Sequence, residues 1–265
     1  MKKYVFLTAC ISLAVLVSIG AFAQSGIKKK RPLPQDYGKV VLNTYSEKAG
    51  LAGVVFNHWL HRSKFTCRVC HVDIGFGMKA GSTGIRAADI MKGYYCGACH
   101  KAGGKAKFEA CAKVTNNDFP KRCDRCHSLG KVVAFENDFA TYTAKFPKER
   151  YGSGIDWEKA EVEGYIKLTD FVEGVSMKKP LLTQNKELEL LPKVEGMPDI
   201  IFSHKKHTVW NGCAVCHPDI FVGVKKGATK YSMVEIFEGK YCGACHGNVA
   251  FPLLDCQRCH TKPVS

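Results

Sequence analysis

Beyond Ile19 this chain has no long apolar run, so nothing later in it reads as a membrane-spanning helix, which needs about 20 apolar residues in succession. Familiar catalytic signatures are missing as well. There is no helical His-Glu-x-x-His, no nucleophile elbow and no phosphate-cradling glycine loop, which excludes the zinc peptidase, serine hydrolase and P-loop classes on sequence pattern. Acidic residues are scarce beside basic ones: 24 Asp and Glu stand against 39 Lys and Arg, a formal net charge of +15. Strand signals are weak outside Lys39-Val40-Val41-Leu42 and Asp199-Ile200-Ile201-Phe202, so short helices, turns and lysine-rich loops are expected to dominate.

Fourteen cysteines and an export signal are what the chain does have. Lys2 and Lys3 precede an apolar run from Tyr4 to Ile19, and Ala21-Phe22-Ala23 supplies a small-x-small cleavage pattern, so residues 1–23 are expected to leave as a signal peptide. The mature chain then begins near Gln24 and is expected in the periplasm or outside the cell. Leu7-Thr8-Ala9-Cys10 has the look of a lipoprotein box but lies too early in the run, so Cys10 is expected to go with the signal; the alternative is a retained N-terminal anchor. Outside the cytoplasm, so many thiols would ordinarily form disulfides. Their spacing says otherwise. Twelve of the fourteen occur as Cys-x-x-Cys, each pair followed directly by histidine.

These motifs lie in two copies of one unit. Phe56-Asn57-His58-Trp59-Leu60-His61 leads to Cys67-Arg68-Val69-Cys70-His71, then Cys96-Gly97-Ala98-Cys99-His100 and Cys123-Asp124-Arg125-Cys126-His127. Phe202-Ser203-His204-Lys205-Lys206-His207 leads in the same way to Cys213-Ala214-Val215-Cys216-His217, Cys242-Gly243-Ala244-Cys245-His246 and Cys256-Gln257-Arg258-Cys259-His260. From Phe56 to His100 the copies align without a gap at an offset of 146, after which the first carries 13 extra residues that include Cys111. The domain boundaries expected are 24–130 for the first copy, 131–195 for a linker and 196–265 for the second. In the linker, Asp156 to Glu163 predicts a short capped helix stopped by Gly164, Tyr165-Ile166-Lys167-Leu168 a brief strand, and Tyr151, Trp157 and Phe171 packing on one or both copies.

Cysteines at i and i+3 of a helical turn share one face, and so meet the two vinyl groups on one porphyrin edge; the histidine that follows comes beneath the iron. Zinc ribbons also use Cys-x-x-Cys, but nothing in them demands a histidine after each pair. With 10 histidines in 265 residues, six out of six is far beyond coincidence. A thioredoxin-like site would need one motif on a βαβ scaffold. Six covalent haems c are therefore expected, with thioether links at Cys67, Cys70, Cys96, Cys99, Cys123, Cys126, Cys213, Cys216, Cys242, Cys245, Cys256 and Cys259. The proximal ligands expected are His71, His100, His127, His217, His246 and His260. Six haems bring about 12 propionate charges, which accounts for most of the basic excess, since buried charge must be paired. Nucleic acid is not an expected partner; a basic face for docking an acidic one is the other reading of the surplus.

The four remaining histidines, His58, His61, His204 and His207, all lie in Phe-x-His-x-x-His, whose three-residue spacing lets each pair cap two different irons as distal ligands. Phe-x-His-x-x-His followed by three Cys-x-x-Cys-His motifs resembles the triheme cytochrome c7 type of class III multihaem cytochromes, relatives of the tetrahaem cytochromes c3, over about residues 38–130 and 196–262. The resemblance implies a fold of short helices and loops with little β structure, two tandem triheme domains packed around haems. It also implies the pairs His58 with His71, His61 with His100, His204 with His217 and His207 with His246. The pattern departs from the family where another histidine is expected before the second motif: Lys92 and Glu238 occupy that neighbourhood, and none is left for His127 or His260.

Some multidomain relatives use methionine there. Met233 follows a Ser232-x-x-Glu235 capping box and is the expected ligand for the haem on His260. Its counterpart is Ala87, so Met91, one helical turn on, is the candidate in the first copy, with Met78 further away; methionine as plain core filler, or an open sixth position, is the alternative. Cys111 is expected as a free thiol, and Gly75, Gly77, Gly81 and Gly84 as places where backbone runs close to porphyrin. Closed, six-coordinate haems shuttle electrons, so an electron carrier rather than an enzyme is expected, and no Cys-x-x-Cys-Lys motif of the pentahaem nitrite reductase kind is present. Redox proteins or extracellular acceptors are the expected partners, with peripheral docking to a membrane redox complex as a further option. The competing class is a haem enzyme or gas binder working at an open third haem.

Overall fold

Two adjacent valines and a phenylalanine, Val54-Val55-Phe56, draw the first copy into its only sheet among the described residues. The structure is a computed structural model that describes residues 31–104, 106, 108–111, 123–134, 138–178, 187–191, 196–222 and 225–262. The expected signal segment, with Cys10 and Gln24, lies outside them. Strand β1 (Lys39–Leu42) pairs antiparallel with β2 (Val54–Asn57), from Lys39↔Asn57 to Leu42↔Val54. Helix α1 (His58–Arg62) continues from β2 without a break and carries both histidines of the first pair. After the first Cys-x-x-Cys-His motif comes α2 (Ala87–Met91), whose end packs against the second motif: a Cβ at Gly97 would lie 1.9 Å from Ile90 O, so only glycine fits.

Two short helices follow in the connecting stretch, α3 (Phe139–Tyr142) and α4 (Trp157–Val162). Each has an aspartate cap that satisfies one of the free N–H groups at a helix start. Asp138 accepts from Thr141 N at 2.8 Å and Asp156 from Lys159 N at 3.0 Å. The predicted helix stopped by Gly164 is therefore present, with Gly164 at φ +78°. The predicted strand over Tyr165–Leu168 is not. Ile166 turns instead into the core, its N–H bonded to Ala160 O, and the only pairing nearby is the single bridge between Thr169 and Phe65.

In the second copy β3 (Glu187–Leu190), β4 (Asp199–Ser203) and β5 (His260–Lys262) form an antiparallel sheet in that order. Helix α5 (His204–Asn211) continues from β4 as α1 does from β2, and α6 (Met233–Phe237) occupies the place of α2. Gly243 meets Ile236 O as closely as Gly97 meets Ile90 O. The repeat seen in the sequence is thus a repeat of structure.

The apolar core lies largely outside the two copies. Phe139, Phe146, Ile155, Trp157, Ala160 and Ile166 cluster around Trp59 of α1, with Leu60, Tyr142, Leu168 and Trp210 packed on their edge. Trp157 is 6% exposed and its indole N–H donates to Ser153 Oγ at 2.9 Å. Phe171, expected to pack, is 37% exposed. Polar contacts tie this stretch to each copy. Thr66 Oγ1 donates to Asp170 at 2.6 Å, and Arg68 spans Asp170 at 3.1 Å and the buried Asp73 at 2.9 Å. On the other side Arg258 pairs with Glu149, and Lys206 with Glu158 at 2.7 Å. Within Leu33–Ser265 the chain forms one compact unit.

Candidate haem sites

Each described motif is one helical turn. The histidine N–H bonds back to the carbonyl of the first cysteine in four of them: His100 to Cys96 and His127 to Cys123 at 2.8 Å, His217 to Cys213 and His246 to Cys242 at 3.0 Å. That bond puts positions i, i+3 and i+4 on one face, so two sulfurs and an imidazole point the same way. The turns are held differently. At the first motif the chain widens into a π-turn over Val69–Ile74, with Val69 2% exposed beneath it. The second rests on α2 or α6 and is entered through left-handed Tyr95 (φ +51°) and Tyr241 (φ +52°). The third docks on the strand before the histidine pair: Val55 N–H donates to Cys126 O at 2.8 Å, and His260 pairs with Ile200 across β4 and β5.

The imidazoles are oriented by main chain. In the first copy Nδ1 of His58 lies 2.5 Å from Gly38 O, that of His71 2.8 Å from Phe76 O, that of His100 3.1 Å from Phe108 O and that of His127 2.7 Å from Ala52 O. In the second copy His207 meets Ser203 O at 2.9 Å, His217 Phe221 O at 2.7 Å, His246 Phe251 O at 3.2 Å and His260 Pro198 O at 2.7 Å. A carbonyl oxygen only accepts, so Nδ1 carries a proton in all eight, and in the neutral ring it is Nε2 that has the free lone pair. That is the tautomer a metal ligand needs, oriented by its other nitrogen. His61 Nδ1 is buried just short of bonding geometry with Asn57, the counterpart of Ser203.

Two histidine pairs come together with their rings tilted. His61 and His100 have ring centroids 6.3 Å apart at 58°, His207 and His246 6.2 Å apart at 59°. Two imidazoles across one metal, each bonded at about 2 Å, place their centroids roughly 6 Å apart. Phe56 and Phe202 each hold both histidines of their motif: edge-on to His58 and His204, tilted over His61 and His207. Burial, with His100 and His58 nearby, pushes His61 down to about 4; burial, then His207 and Arg258, does the same to His246. Both rings are neutral at pH 7. His58 is likewise held below its ordinary value, by burial first and by the nearby His71 among other charges.

The thirteen described cysteines are all free of disulfides, and burial pushes Cys70 and Cys245 up to about 12 and Cys96 and Cys259 up to about 11. Thiols so protonated are poor nucleophiles. Among the described residues no group of three or more His, Cys, Asp or Glu side chains converges as a cage for a bare metal ion. The donor set fits haem. Cys111 sits at φ +53°, half-buried, within electrostatic reach of Cys96, Cys123 and Cys126. Met233 opens α6, where Ser232 Oγ accepts from Glu235 N and donates to Glu235 Oε2 at 2.9 Å, as the capping box predicts. Met233 is 43% exposed; Met91, at the far end of α2, is 57% exposed and Met78 37%. Gly75 at φ +90° ends the π-turn, a backbone shape that already favours glycine, and a Cβ on Gly77 would meet the Ser82 hydroxyl.

Sequence reasoning missed Arg62 and the carbonyls that orient the rings. No residue type marks such carbonyls, and the copies differ at Arg62, which aligns with Thr208.

Repeated Cys-x-x-Cys-His turns in a fold of short helices, loops and small sheets define a multihaem c-type cytochrome. The chain belongs to the family described as cytochrome c7 and related cytochrome c, whose family model matches residues 54–128 and 200–261. Among solved structures, a c7-type three-heme cytochrome domain is 39% identical over 29% of this chain and 95% of its own, with a TM-score of 0.27. The C-terminal hexaheme fragment of GSU1996 is 23% identical over 88% of this chain and 99% of its own, with a TM-score of 0.26. The dodecaheme cytochrome c GSU1996 is 22% identical over 84% and 73%, with a TM-score of 0.26. No curated protein matches the chain. No helix among the described residues is long and apolar enough to cross a membrane.

Proposed function

We propose that the chain is a hexahaem electron carrier working in the periplasm or outside the cell, passing electrons between redox proteins or to extracellular acceptors. The observation that carries this reading is the matched pair of imidazole contacts, His61 with His100 and His207 with His246, repeated in two copies. Haem supplies reversible one-electron chemistry at iron. The protein's part is to hold it. Twelve motif cysteines tether the porphyrin edges, and His71, His100, His127, His217, His246 and His260 take the proximal positions. His58, His61, His204 and His207 would serve as the second ligands of four haems, and Met233 as that of the haem on His260. Because His58 and His61 lie on one short helix, the two groups they cap stay neighbours, which hopping requires. The same holds for His204 and His207. Neither nucleic acid nor catalysis is part of this reading. Peripheral docking to a membrane redox complex would draw on the basic surplus that the propionates of six haems leave unpaired.

One observation favours a second reading at a single place. Ala87 opens α2 where Met233 opens α6, leaving Met91 at the opposite end of its helix as the candidate for His127. A haem there without a sixth ligand would take a gas or a small oxyanion. Pyridine haemochrome quantitation with mass spectrometry, on protein matured in a host that attaches haem c, is expected to give six haems on a chain starting near Gln24. A colourless product, its sulfurs holding zinc, overturns the proposal. In the same sample, a high-spin ferric fraction that responds to carbon monoxide on reduction would mark the second reading.

A further inference from the structure

Arg62 ends α1, directly after His61, and its side chain leaves the first copy altogether. Its Nη1 donates to Val249 O in the loop after the second copy's middle motif. The guanidinium lies over two indoles, 5.0 Å from Trp157 in the connecting stretch and 5.4 Å from Trp210 in the second copy. Three parts of the chain therefore meet on one cation. The junction around it is closed by Tyr37, whose hydroxyl donates to Ala250 O at 2.5 Å, and by Gly38, where a Cβ would come within 3.3 Å of Val249.

Within electrostatic reach of this guanidinium are the sulfurs of Cys67 and Cys245, the Tyr37 hydroxyl and one carboxylate, Glu149. Glu149 is bonded to Arg258, which also lies 3.8 Å from Asp156, so it is not a dedicated partner for Arg62. Cys67 is itself within reach of Cys216 and Cys245, which places the first motif of one copy beside the first and second of the other. Position 208 of the second copy, aligned with Arg62, is a threonine. The cation at this junction has no counterpart there.

We propose that Arg62 is a positioning residue for electron transfer: its permanent charge, lodged between the two copies, raises the reduction potential of the haems on Cys67/Cys70 and Cys242/Cys245. Adding an electron to iron removes one positive charge. A neighbouring cation partly withdrawn from water favours that state, and salt screens it less than a fully exposed charge. Arginine keeps its charge under all working conditions, and its flat guanidinium stacks on indole as an ammonium does not. Among the haems capped by two histidines, electrons entering either copy are then drawn towards the junction, where the copies touch. This inference rests on the haem reading above.

The test is a spectroelectrochemical titration of the full hexahaem protein, with individual haems resolved by NMR. Arg62→Gln is expected to shift two of the six midpoints to more negative values and leave the other four unmoved. Arg62→Lys, which keeps the charge, is expected to retain most of the wild-type values. Tyr37→Phe removes a junction hydrogen bond without removing charge and is expected to move none. Glu149→Gln strips opposing charge from Arg62 and from Arg258 and is expected to move the same two midpoints upward together with that of the haem on Cys256 and Cys259, which keeps the idea testable even where Arg62→Gln fails to accumulate. An Arg62→Gln titration that overlays wild type, a uniform shift of all six haems, or an equal shift in Tyr37→Phe overturns the assignment. Wild type carrying fewer than six haems would instead sink the functional reading.

Discussion

The connecting stretch and the two copies it joins are held together by different means. Among the described residues, seven of the buried apolar side chains, Phe139, Phe146, Ile155, Trp157, Ala160, Ile166 and Val172, come from the stretch, whereas the copies contribute Trp59, Val69, Val215 and Ile236. A segment with a buried tryptophan, two aspartate caps and a shared core can fold on its side chains. Copies with so few buried side chains have little apolar burial to set against their conformational entropy. The difference teaches that the copies depend on their prosthetic groups, as small metal domains depend on their metal.

Deleting an attachment site is the strongest way to press that comparison. Cys67→Ser with Cys70→Ser is expected to prevent accumulation of the protein, read by immunoblot and haem stain; recovery of a protease-resistant variant would contradict the dependence. Trp157→Ala attacks the other half. It is expected to cost about 3–5 kcal/mol in denaturant unfolding while leaving the haem count unchanged from wild type. Met233→Ala should erase the weak far-red thioether band and lower one midpoint, since thioether ligation raises haem potential relative to paired histidines. An unchanged band would remove Met233 from the ligand set. The mildest change is Asp156→Ala, which strips the cap of α4 and is expected to cost about 1 kcal/mol, with visible spectra unaltered. A larger loss accompanied by haem release would mean that the stretch and the copies are not separable.

Covalent attachment dictates spacing, which is why the motif turns and histidine pairs were readable from sequence. Strand β1 was legible from Lys39-Val40-Val41-Leu42, but its partner Val54–Asn57 was not, because it runs straight into the first histidine helix and shows no alternation of its own. Strand β3 was missed for a related reason: Glu187-Leu188-Glu189-Leu190 is four residues long and becomes a strand by pairing with β4. At Tyr165–Leu168 the β-prone residues were real, but burial of Ile166 against Ala160 outweighed them. Arg62 stayed silent because its meaning depends on Val249, 187 positions away.

For eight of the described histidines the acceptor that orients the ring through Nδ1 is a peptide carbonyl, in both copies. A point mutation can delete a carboxylate or an amide side chain; it cannot delete a carbonyl of the backbone. Ring orientation in this protein is thereby insulated from side-chain drift. Evolutionary adjustment of redox behaviour must then act through charges placed nearby or through the path of the main chain itself.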